Sequence, residues 1–278
     1  PPIKARGSGV LIGMDSARRA FDPTAGNGAL LLSAPAESRA ANEIDPARAD
    51  FLKSVAPSVR QKDFTAGDFT AGDADLPSSQ PSAAGGSADR IAVNPPFGRL
   101  QKPLPLEGTG KKTAQLHHYI AWKALASMSF DGKAVLFLPS PKQAIFQGSN
   151  NGEQQAELLA RSYNAPEARS FWSSLYGRYR VTGHYTIPGS LYAGQGASWP
   201  LDVVVIEGMG PSTRPLPAAQ LPEWYESYDK LKGLLDERNG HRTGVGAAAI
   251  GSVNDRSAEG GAGLALGAGS FAAGRTER

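Results

Sequence analysis

The segment best suited to chemistry is Ile91–Gly98, which reads Ile-Ala-Val-Asn-Pro-Pro-Phe-Gly. Its first three residues are typical of the end of a buried strand, and the two prolines stop that strand because they lack an N–H group and fix their own φ. Open α/β sheets bind ligands at the carboxyl ends of their strands. There an amide oxygen and a proline carbonyl can accept both hydrogens of an exocyclic amino group, while a phenyl ring stacks on the ligand. The candidate catalytic residues are therefore Asn94, Pro95, Pro96 and Phe97; the alternative is a stiff turn without a chemical role.

A second candidate is the glycine-rich turn Asp22–Gly28, which reads Asp-Pro-Thr-Ala-Gly-Asn-Gly and precedes the apolar residues 29–32. The pattern predicts a turn that enters a helix. Small residues let the backbone approach a ligand, and free N–H groups at a helix start can bind it. The spacing differs from that of dinucleotide-binding turns, and the Gly-Lys-Ser/Thr ending of a P-loop is absent. A packing role is the alternative.

Two acidic positions follow predicted strands. Glu43 lies near the end of the second strand, where a carboxylate can accept both hydroxyls of a ribose; Asp45 is the neighbouring alternative. After the third strand, an acid can accept an adenine amino group while the ring of Phe64 packs on the base. Asp-Phe-Thr-Ala-Gly occurs twice in tandem, so Asp63, which follows the strand most directly, has the alternatives Asp68 and Asp73.

Composition narrows the possible chemistry. The 278 residues contain no cysteine, which excludes disulfides, zinc–thiolate sites and a cysteine nucleophile. His117 and His118 are adjacent, so they point to different sides of a helix and make poor paired metal ligands; we expect no metal site. No apolar run is long enough to span a membrane. A net charge of +3 permits nucleic acid as a partner without requiring it.

Strands and helices alternate through residue 140, which predicts a mostly parallel sheet covered on both faces. The last two strands are joined by a loop, which predicts an antiparallel edge. We expect strands at 39–44, 59–61, 91–93, 133–139, 180–187 and 201–207, and helices at 46–54, 116–128, 153–162, 165–176 and 224–237. Asp131-Gly132 is expected to form a turn before the fifth strand, and 73–90 a flexible loop.

Taken in order, these motifs resemble those of the Rossmann-like adenine-N6 methyltransferases that use S-adenosylmethionine. Asp22–Gly28 matches that family's first motif, Asn42–Pro46 its second, Lys62–Phe64 its third and Asn94–Phe97 its catalytic motif. The resemblance spans residues 20–208 and has the gamma-type motif order. It implies a Rossmann-like class I methyltransferase fold, α/β, with a mostly parallel seven-stranded sheet and an antiparallel final strand. It also implies S-adenosylmethionine as cofactor, bound by Asp22, Thr24, Gly26, Gly28, Glu43, Ile44, Asp63 and Phe64.

The implied reaction is methyl transfer to the N6 amino group of adenine in DNA. The segment from Arg99 to Lys123 is rich in basic residues and contains a single acid. We expect it to be a loop that binds phosphates, and the expected nucleic-acid contacts are Arg99, Lys102, Lys111 and Lys112. Methylation of an RNA base or a glutamine amide is an alternative. A non-catalytic nucleic-acid-binding or virion module that keeps the fold is another.

A narrower resemblance is to the methyltransferase part of large phage and plasmid proteins that also contain a helicase-like region and have a suggested antirestriction role. It is carried by Asp22–Leu32, by the His-rich helix that leads to Gly132–Val135, and by Arg214–Pro217. It implies a larger polypeptide in the bacterial cytoplasm or associated with the virion. The expected organisation is a methyltransferase domain at 1–208, a linker and helix at 209–239, and a Gly/Ala-rich disordered tail at 240–278.

The sequence also departs from the family. Residues 1–20 lack the Phe-x-Thr-Pro-like segment that usually precedes the first motif, and the chain starts abruptly at Pro1-Pro2 without a signal peptide. We therefore expect an excised domain or weak cofactor binding. No separate target-recognition domain is evident, which predicts low sequence specificity.

Overall fold

An eight-stranded sheet forms the centre of the computed structural model, which describes residues 9–66, 87–141, 152–191, 199–227 and 229–237. The strands are β1 (Ala20–Asp22), β2 (Arg39–Asn42), β3 (Ser58–Arg60), β4 (Ala88–Val93), β5 (Arg99–Leu106), β6 (Lys111–Gln115), β7 (Met128–Pro139), β8 (Tyr179–Ile187), β9 (Leu201–Met209) and β10 (Glu223–Trp224). Besides the helical residues 9–12, the described helices are α1 (Pro46–Leu52), α2 (Leu116–Leu125), α3 (Gly152–Asn164), α4 (Pro166–Arg178) and α5 (residues 229–237). All described residues belong to one unit of the chain, residues 1–240.

The sheet has the order β10-β8-β9-β7-β4-β1-β2-β3. Strands β3, β2, β1, β4 and β7 run parallel, which confirms the predicted α/β fold. Strands β8 and β9 form the predicted antiparallel pair, and β9 is antiparallel to both β7 and β8, which confirms the antiparallel final strand; the pair does not form the edge itself, because β10 lies outside β8. Residues 203–206 of β9 are buried on both faces, and such a continuous apolar run favours the interior of a sheet. The short strand β10 pairs in parallel with β8 and adds the eighth strand.

Side-chain alternation along the strands separates two cores. On β4, Ile91 and Val93 pack into one core with residues of α2, α3 and α4, whereas Ala92 packs into the other. The second core contains Leu52 of α1 and Leu231 of α5. Helices therefore cover both faces of the parallel sheet, as its uninterrupted apolar strands require. No described helix is both long enough and apolar enough to span a membrane.

Several predicted elements differ in the structure. The turn at Gly28 leads into a 3-10 turn, Ala29–Leu31, and not into an α-helix. A proline at position 35 limits the run, because proline breaks a helix interior. The expected helix at 224–237 is described from residue 229 onward, and Trp224 instead pairs with β8.

The region between the catalytic motif and the fifth parallel strand also differs. The predicted basic loop is an antiparallel hairpin, β5–β6, followed by α2. The expected turn at Asp131-Gly132 lies within β7, at an irregularity in its pairing with β4. Strand β4 begins at Ala88, inside the predicted loop at 73–90, and residues 73–86 lie outside the described residues. The predicted tail at 240–278 also lies outside them.

The carboxylate of Asp89 fastens the segment before β1 to β4. Its oxygens accept hydrogen bonds from the backbone N–H groups of Arg18 (3.1 Å) and Arg19 (2.7 Å), and the residue is 9% exposed. Removing this acceptor would leave two partly buried backbone donors without this partner, and the cost of such a loss reaches about 1–3 kcal/mol only for a fully buried donor.

We therefore expect Asp89→Ala to lower the free energy of unfolding by about 2–3 kcal/mol, because these donors lose their acceptor. Urea unfolding followed by tryptophan fluorescence measures the change. Asp50→Ala is the control: it removes an exposed ion pair with Lys53 and should change stability by less than about 0.5 kcal/mol. Equal effects of the two substitutions would contradict this role of Asp89.

Candidate active site

A cavity of about 580 Å³ opens at the carboxyl ends of β1, β2, β3 and β4. The sheet order changes direction here, because β1 lies between β2 and β4. Both predicted turns border this one cavity. The predicted site residues that line it are Thr24, Gly26, Glu43, Ile44, Asp63, Phe64, Asn94, Pro95 and Pro96. Those that do not line it are Asp22, Gly28, Phe97 and the four basic residues of the hairpin.

The two glycines of the first turn have different surroundings. Gly26 has a φ of 57° and lines the cavity, and a Cβ atom there would meet no heavy atom within 4 Å. Gly28 has a φ of 76°, but a Cβ atom there would lie 2.8 Å from Leu52 Cδ2. Gly26 therefore leaves the backbone open to a ligand, whereas Gly28 permits close packing near α1.

The carboxylate of Glu43 joins the second strand to the glycine turn. Its Oε2 atom accepts from the N–H group of Gly26 (2.8 Å) and its Oε1 atom accepts from that of Asp45 (3.0 Å). Asp45 instead caps α1 by accepting from the N–H group of Arg48 (2.9 Å). Glu43 lines the cavity and Asp45 does not. Each carboxylate oxygen has a further lone pair, so Glu43 can still accept hydroxyl hydrogens from a ligand.

The buried amide of Asn42 was missed by the sequence analysis. Its Nδ2 atom donates to the carbonyl oxygens of Pro23 and Lys62, both at 3.0 Å, and its Oδ1 atom accepts from the N–H group of Lys62 (3.2 Å). One side chain thus joins the ends of β1, β2 and β3. The signal in the sequence was an asparagine directly before Glu43. Other lining residues that were not predicted are Pro23, Arg48, Lys62, Thr65, Leu116 and Ile120.

The third motif supplies an acid and a ring. Asp63 is exposed, and its Oδ1 atom accepts from the N–H group (2.8 Å) and the hydroxyl group (2.7 Å) of Thr65. Phe64 is buried, packs against Phe21 with ring centroids 6.3 Å apart, and has the ammonium of Lys123 5.4 Å from its ring centroid. The alternatives Asp68 and Asp73 lie outside the described residues.

The proline corner meets the glycine turn directly. Thr24 Oγ1 lies 3.5 Å from the carbonyl oxygen of Asn94. Pro95 is buried and Pro96 is exposed, and both line the cavity. Phe97 points elsewhere: it is 40% exposed and its ring makes an edge contact with His117, with centroids 6.0 Å apart.

Asp22 lies beneath the turn and not in the cavity. It is 1% exposed, and its Oδ1 atom accepts from the N–H group of Thr24 (3.0 Å). Burial raises the pKa of Asp22 to about 7; the hydrogen bond from Thr24 opposes this shift and the nearby Glu43 adds to it. Asp22 therefore changes its charge near neutral pH.

The basic residues predicted to contact phosphates all lie exposed on the hairpin. Arg99 lies 3.6 Å from Glu167, and Lys111 Nζ donates to Ser173 Oγ at 2.8 Å. The ammonium groups of Lys102 and Lys112 make no hydrogen bond or ion pair with the described residues, so their charges are available. Within the same part of the chain, no three His, Asp or Glu side chains are arranged to hold a metal ion.

Comparison with solved structures identifies the fold. A chain from a type I restriction–modification system superposes with a TM-score of 0.52 and 13% identity, over 83% of this chain and 48% of that one. A modification subunit of a type I restriction enzyme from Vibrio vulnificus gives 0.50 and 14%, over 85% and 52%. This chain spans about half the length of these neighbours. No family model and no curated protein matches. The chain therefore shares the Rossmann-like α/β fold of these two chains.

We expect Asp22 to make the stability of the chain depend on pH. Its pKa rises from 3.8 in the unfolded chain to about 7 in the folded one. Between these values the unfolded chain has lost the proton and the folded chain retains it, so stability falls as pH rises from about 4 to 7 and is then constant. The total loss is on the order of 4 kcal/mol.

The measurement is the free energy of unfolding of Asp22→Asn minus that of the original chain, at several pH values. Asparagine keeps an Oδ1 acceptor for Thr24 but does not ionise, so the difference should grow from pH 4 to 7 and then level off. A constant difference over this range would show that Asp22 titrates normally.

Proposed function

We propose that the chain is an S-adenosylmethionine-dependent methyltransferase that acts on the N6 amino group of adenine in DNA with low sequence specificity. The observation that supports this most is that the turn at Gly26 and the corner at Asn94 border one cavity. Thr24, which belongs to the turn, lies 3.5 Å from the carbonyl oxygen of Asn94. A methyl donor and an amino acceptor bound at these two positions would lie next to each other. The fold, which this chain shares with the solved modification subunit, agrees with that chemistry.

The residues around the cavity fit the adenosyl part of the cofactor. The free lone pairs of Glu43 suit the two ribose hydroxyls, Asp63 suits the adenine amino group, and Phe64 supplies an apolar surface for the base. The missing side chain of Gly26 leaves room for the ligand near the backbone. S-adenosylmethionine supplies an activated methyl group on a sulfonium.

The Asn94 corner prepares the acceptor nitrogen. The lone pair of an adenine amino group is delocalised into the ring, so the group is a poor nucleophile. If the amide oxygen of Asn94 and the carbonyl oxygen of Pro95 accept its two hydrogens, the nitrogen becomes more pyramidal and its lone pair points toward the methyl group. The prolines fix the positions of these acceptors before the substrate binds. Catalysis then depends on positioning and on electrostatic preorganisation.

DNA fits the surroundings of this corner. A base within a duplex must leave the stack to reach the corner. For Phe97 to stack on that base, its exposed ring would have to turn from its contact with His117 toward the cavity. The hairpin starts two residues after Phe97 and carries the free ammonium groups of Lys102 and Lys112, which suit phosphates. Low specificity is proposed because the described residues include no separate recognition domain.

The larger context follows from the resemblance and the length comparison. We propose that residues 1–208 are the methyltransferase domain, 209–239 a linker and helix, and 240–278 a tail. The chain covers about half of the type I chains, so other parts of a larger polypeptide, including a helicase-like region, are proposed to deliver the target. The cytoplasmic or virion location and the antirestriction role are proposed with it.

The proposal predicts a specific product. Unmethylated plasmid DNA is incubated with the chain and methyl-labelled S-adenosylmethionine, digested to nucleosides and examined by mass spectrometry. The expected product is N6-methyldeoxyadenosine. Asn94→Ala should reduce the turnover rate at least 100-fold while the cofactor Kd changes less than about threefold. Glu43→Gln should instead raise the cofactor Kd by about tenfold or more, since one of its acceptor oxygens becomes a donor.

Asn164→Ala, at the exposed end of α3, is the matched control and should leave both values unchanged. In parallel incubations with RNA or with a glutamine-containing protein, label found there and not in the DNA would identify a substrate other than DNA. Calorimetry that detects no cofactor binding, together with no product, would favour a non-catalytic module. Undiminished turnover by Asn94→Ala would contradict the role of the amide.

Phosphate contacts of the hairpin predict a second result. The slope of log binding constant against log salt for duplex DNA should become shallower by about 0.9 for each of Lys102→Gln and Lys112→Gln, because each lysine releases about one counterion. Lys53→Gln, directly after α1 and paired with Asp50, is the control and should keep the original slope. Unchanged slopes for the hairpin variants would show that these lysines do not contact DNA phosphates.

A further inference from the structure

The turn that follows β3, residues 63–66, is held at both of its ends. At its start, the amide of Asn42 donates to the carbonyl oxygen of Lys62 and accepts from the N–H group of the same residue. At its other end, the ammonium of Lys123 donates to the carbonyl oxygen of Ala66 at 2.5 Å. The turn is therefore attached to the sheet on one side and to helix α2 on the other.

Hydrogen bonds within the turn join its two ends. The N–H group of Ala66 donates to the carbonyl oxygen of Asp63 at 3.1 Å. The Oδ1 atom of Asp63 accepts from the N–H group and the hydroxyl group of Thr65, and such a turn fixes an aspartate side chain relative to its own backbone. A bond that fixes Ala66 therefore also fixes the direction of the Asp63 carboxylate. Its Oδ2 atom makes no hydrogen bond with the described residues and can accept one from a ligand.

Helix α2 is a firm support for Lys123. All residues of this helix except Leu116 and Lys123 are buried, so the helix is fixed by its packing in the core. Leu116 and Ile120 of the same helix line the cofactor cavity, and residues 63–65 line it from the other side. The separation of the helix from the turn therefore sets the width of the cavity here. The bond from Lys123 to Ala66 fixes that separation.

The positive charge of Lys123 makes a second contact with the turn. Its Nζ atom lies 5.4 Å from the ring centroid of Phe64 and 6.0 Å from that of Tyr119. A cation at such a distance is attracted to the face of an aromatic ring, and a hydrogen bond from an ammonium group is stronger than one from a neutral donor. Phe64 lines the cofactor cavity, whereas Lys123 does not. Any effect of Lys123 on a ligand in that cavity must therefore pass through the turn.

We infer that Lys123 is a positioning residue for adenine recognition: by its bond to Ala66 it holds Asp63 where the Oδ2 atom accepts a hydrogen bond from the 6-amino group of the cofactor. The inference rests on the proposed function for the identity of the ligand. Without Lys123, the turn keeps its attachment at Lys62 but loses the one to α2. The carboxylate then occupies several positions, and ordering it on ligand binding costs conformational entropy.

The test uses two ligands that differ only at position 6 of the base. One is S-adenosylhomocysteine, and the other is its analogue in which a hydrogen atom replaces the 6-amino group. The full chain is titrated with each ligand by calorimetry, and the ratio of the two Kd values reports the bond to Asp63. The original chain should bind S-adenosylhomocysteine about tenfold more tightly, as expected for one hydrogen bond to a charged acceptor.

Variants then assign this discrimination to Lys123. Methionine keeps an apolar stem of similar length but has neither donor nor charge, so Lys123→Met should lower the ratio by about three- to tenfold while the Kd of the analogue changes less than about twofold. Lys123→Gln is shorter and uncharged but keeps a polar end, and the same fall is expected if the methionine variant does not fold. Lys123→Arg keeps the charge and the donors and should recover most of the ratio.

Lys232→Met is the matched control, because this lysine lies on α5 and pairs with Asp236; the ratio should stay that of the original chain. Urea unfolding shows which variants are folded. An original chain that binds both ligands equally would overturn the inference, and so would a ratio unchanged in the folded Lys123 variants or not restored by arginine. These results leave the proposed function standing. A chain that binds neither ligand would overturn the cofactor assignment of the proposed function together with this inference.

Discussion

The side-chain amide of Asn42 joins the ends of three strands by hydrogen bonds, and the shape of the cavity depends on these bonds. Asn42 donates to the carbonyl groups that follow β1 and β3 and accepts from Lys62, while the neighbouring Glu43 holds the N–H group of Gly26. The bond to Pro23 is buried and the other three are partly buried, so water competes with them little and the loss of one partner is costly. The turn after each strand is thereby fixed relative to the others. Without this set of bonds, the ligand-binding groups on three separate loops would not share one cavity.

The order of the sheet brings the second half of the site to the same place. Strand β1 pairs with β2 on one side and with β4 on the other. The connections that follow these strands therefore run to opposite sides of the sheet order, and a crevice remains between the connections at the carboxyl ends of the strands. The glycine turn occupies one side of this crevice and the proline corner the other, with Thr24 against the carbonyl of Asn94. Beyond the corner, the ring of Phe97 contacts that of His117. Methyl donor and amino acceptor would then lie next to each other at the edge of the sheet.

The sequence allowed the parallel sheet and the position of both turns to be predicted, because strand ends, glycines and prolines have local signals. The contribution of Asn42 could not be predicted, since the partners of a side chain at a strand end depend on the register with two other strands. Likewise, Gly26 and Gly28 look equivalent in the sequence, and only the packing against Leu52 separates them. The helix expected after Gly28 did not form, because the packing of the turn against Leu52 and the nearby Pro35 outweighed the helical preference of the apolar run. The hairpin was missed because its alternating, lysine-rich strands lack a strong apolar signal.

The most direct measurement is a crystal structure of the chain with bound S-adenosylmethionine. The shared cavity predicts the ribose at Glu43, the adenine beside Asp63 and Phe64, and the methyl group directed toward Asn94 and Pro95. In that arrangement, an amino group held by the corner would be within about 3–3.5 Å of the methyl carbon. A cofactor bound outside this cavity, or one whose methyl group points away from Asn94, would contradict the central claim.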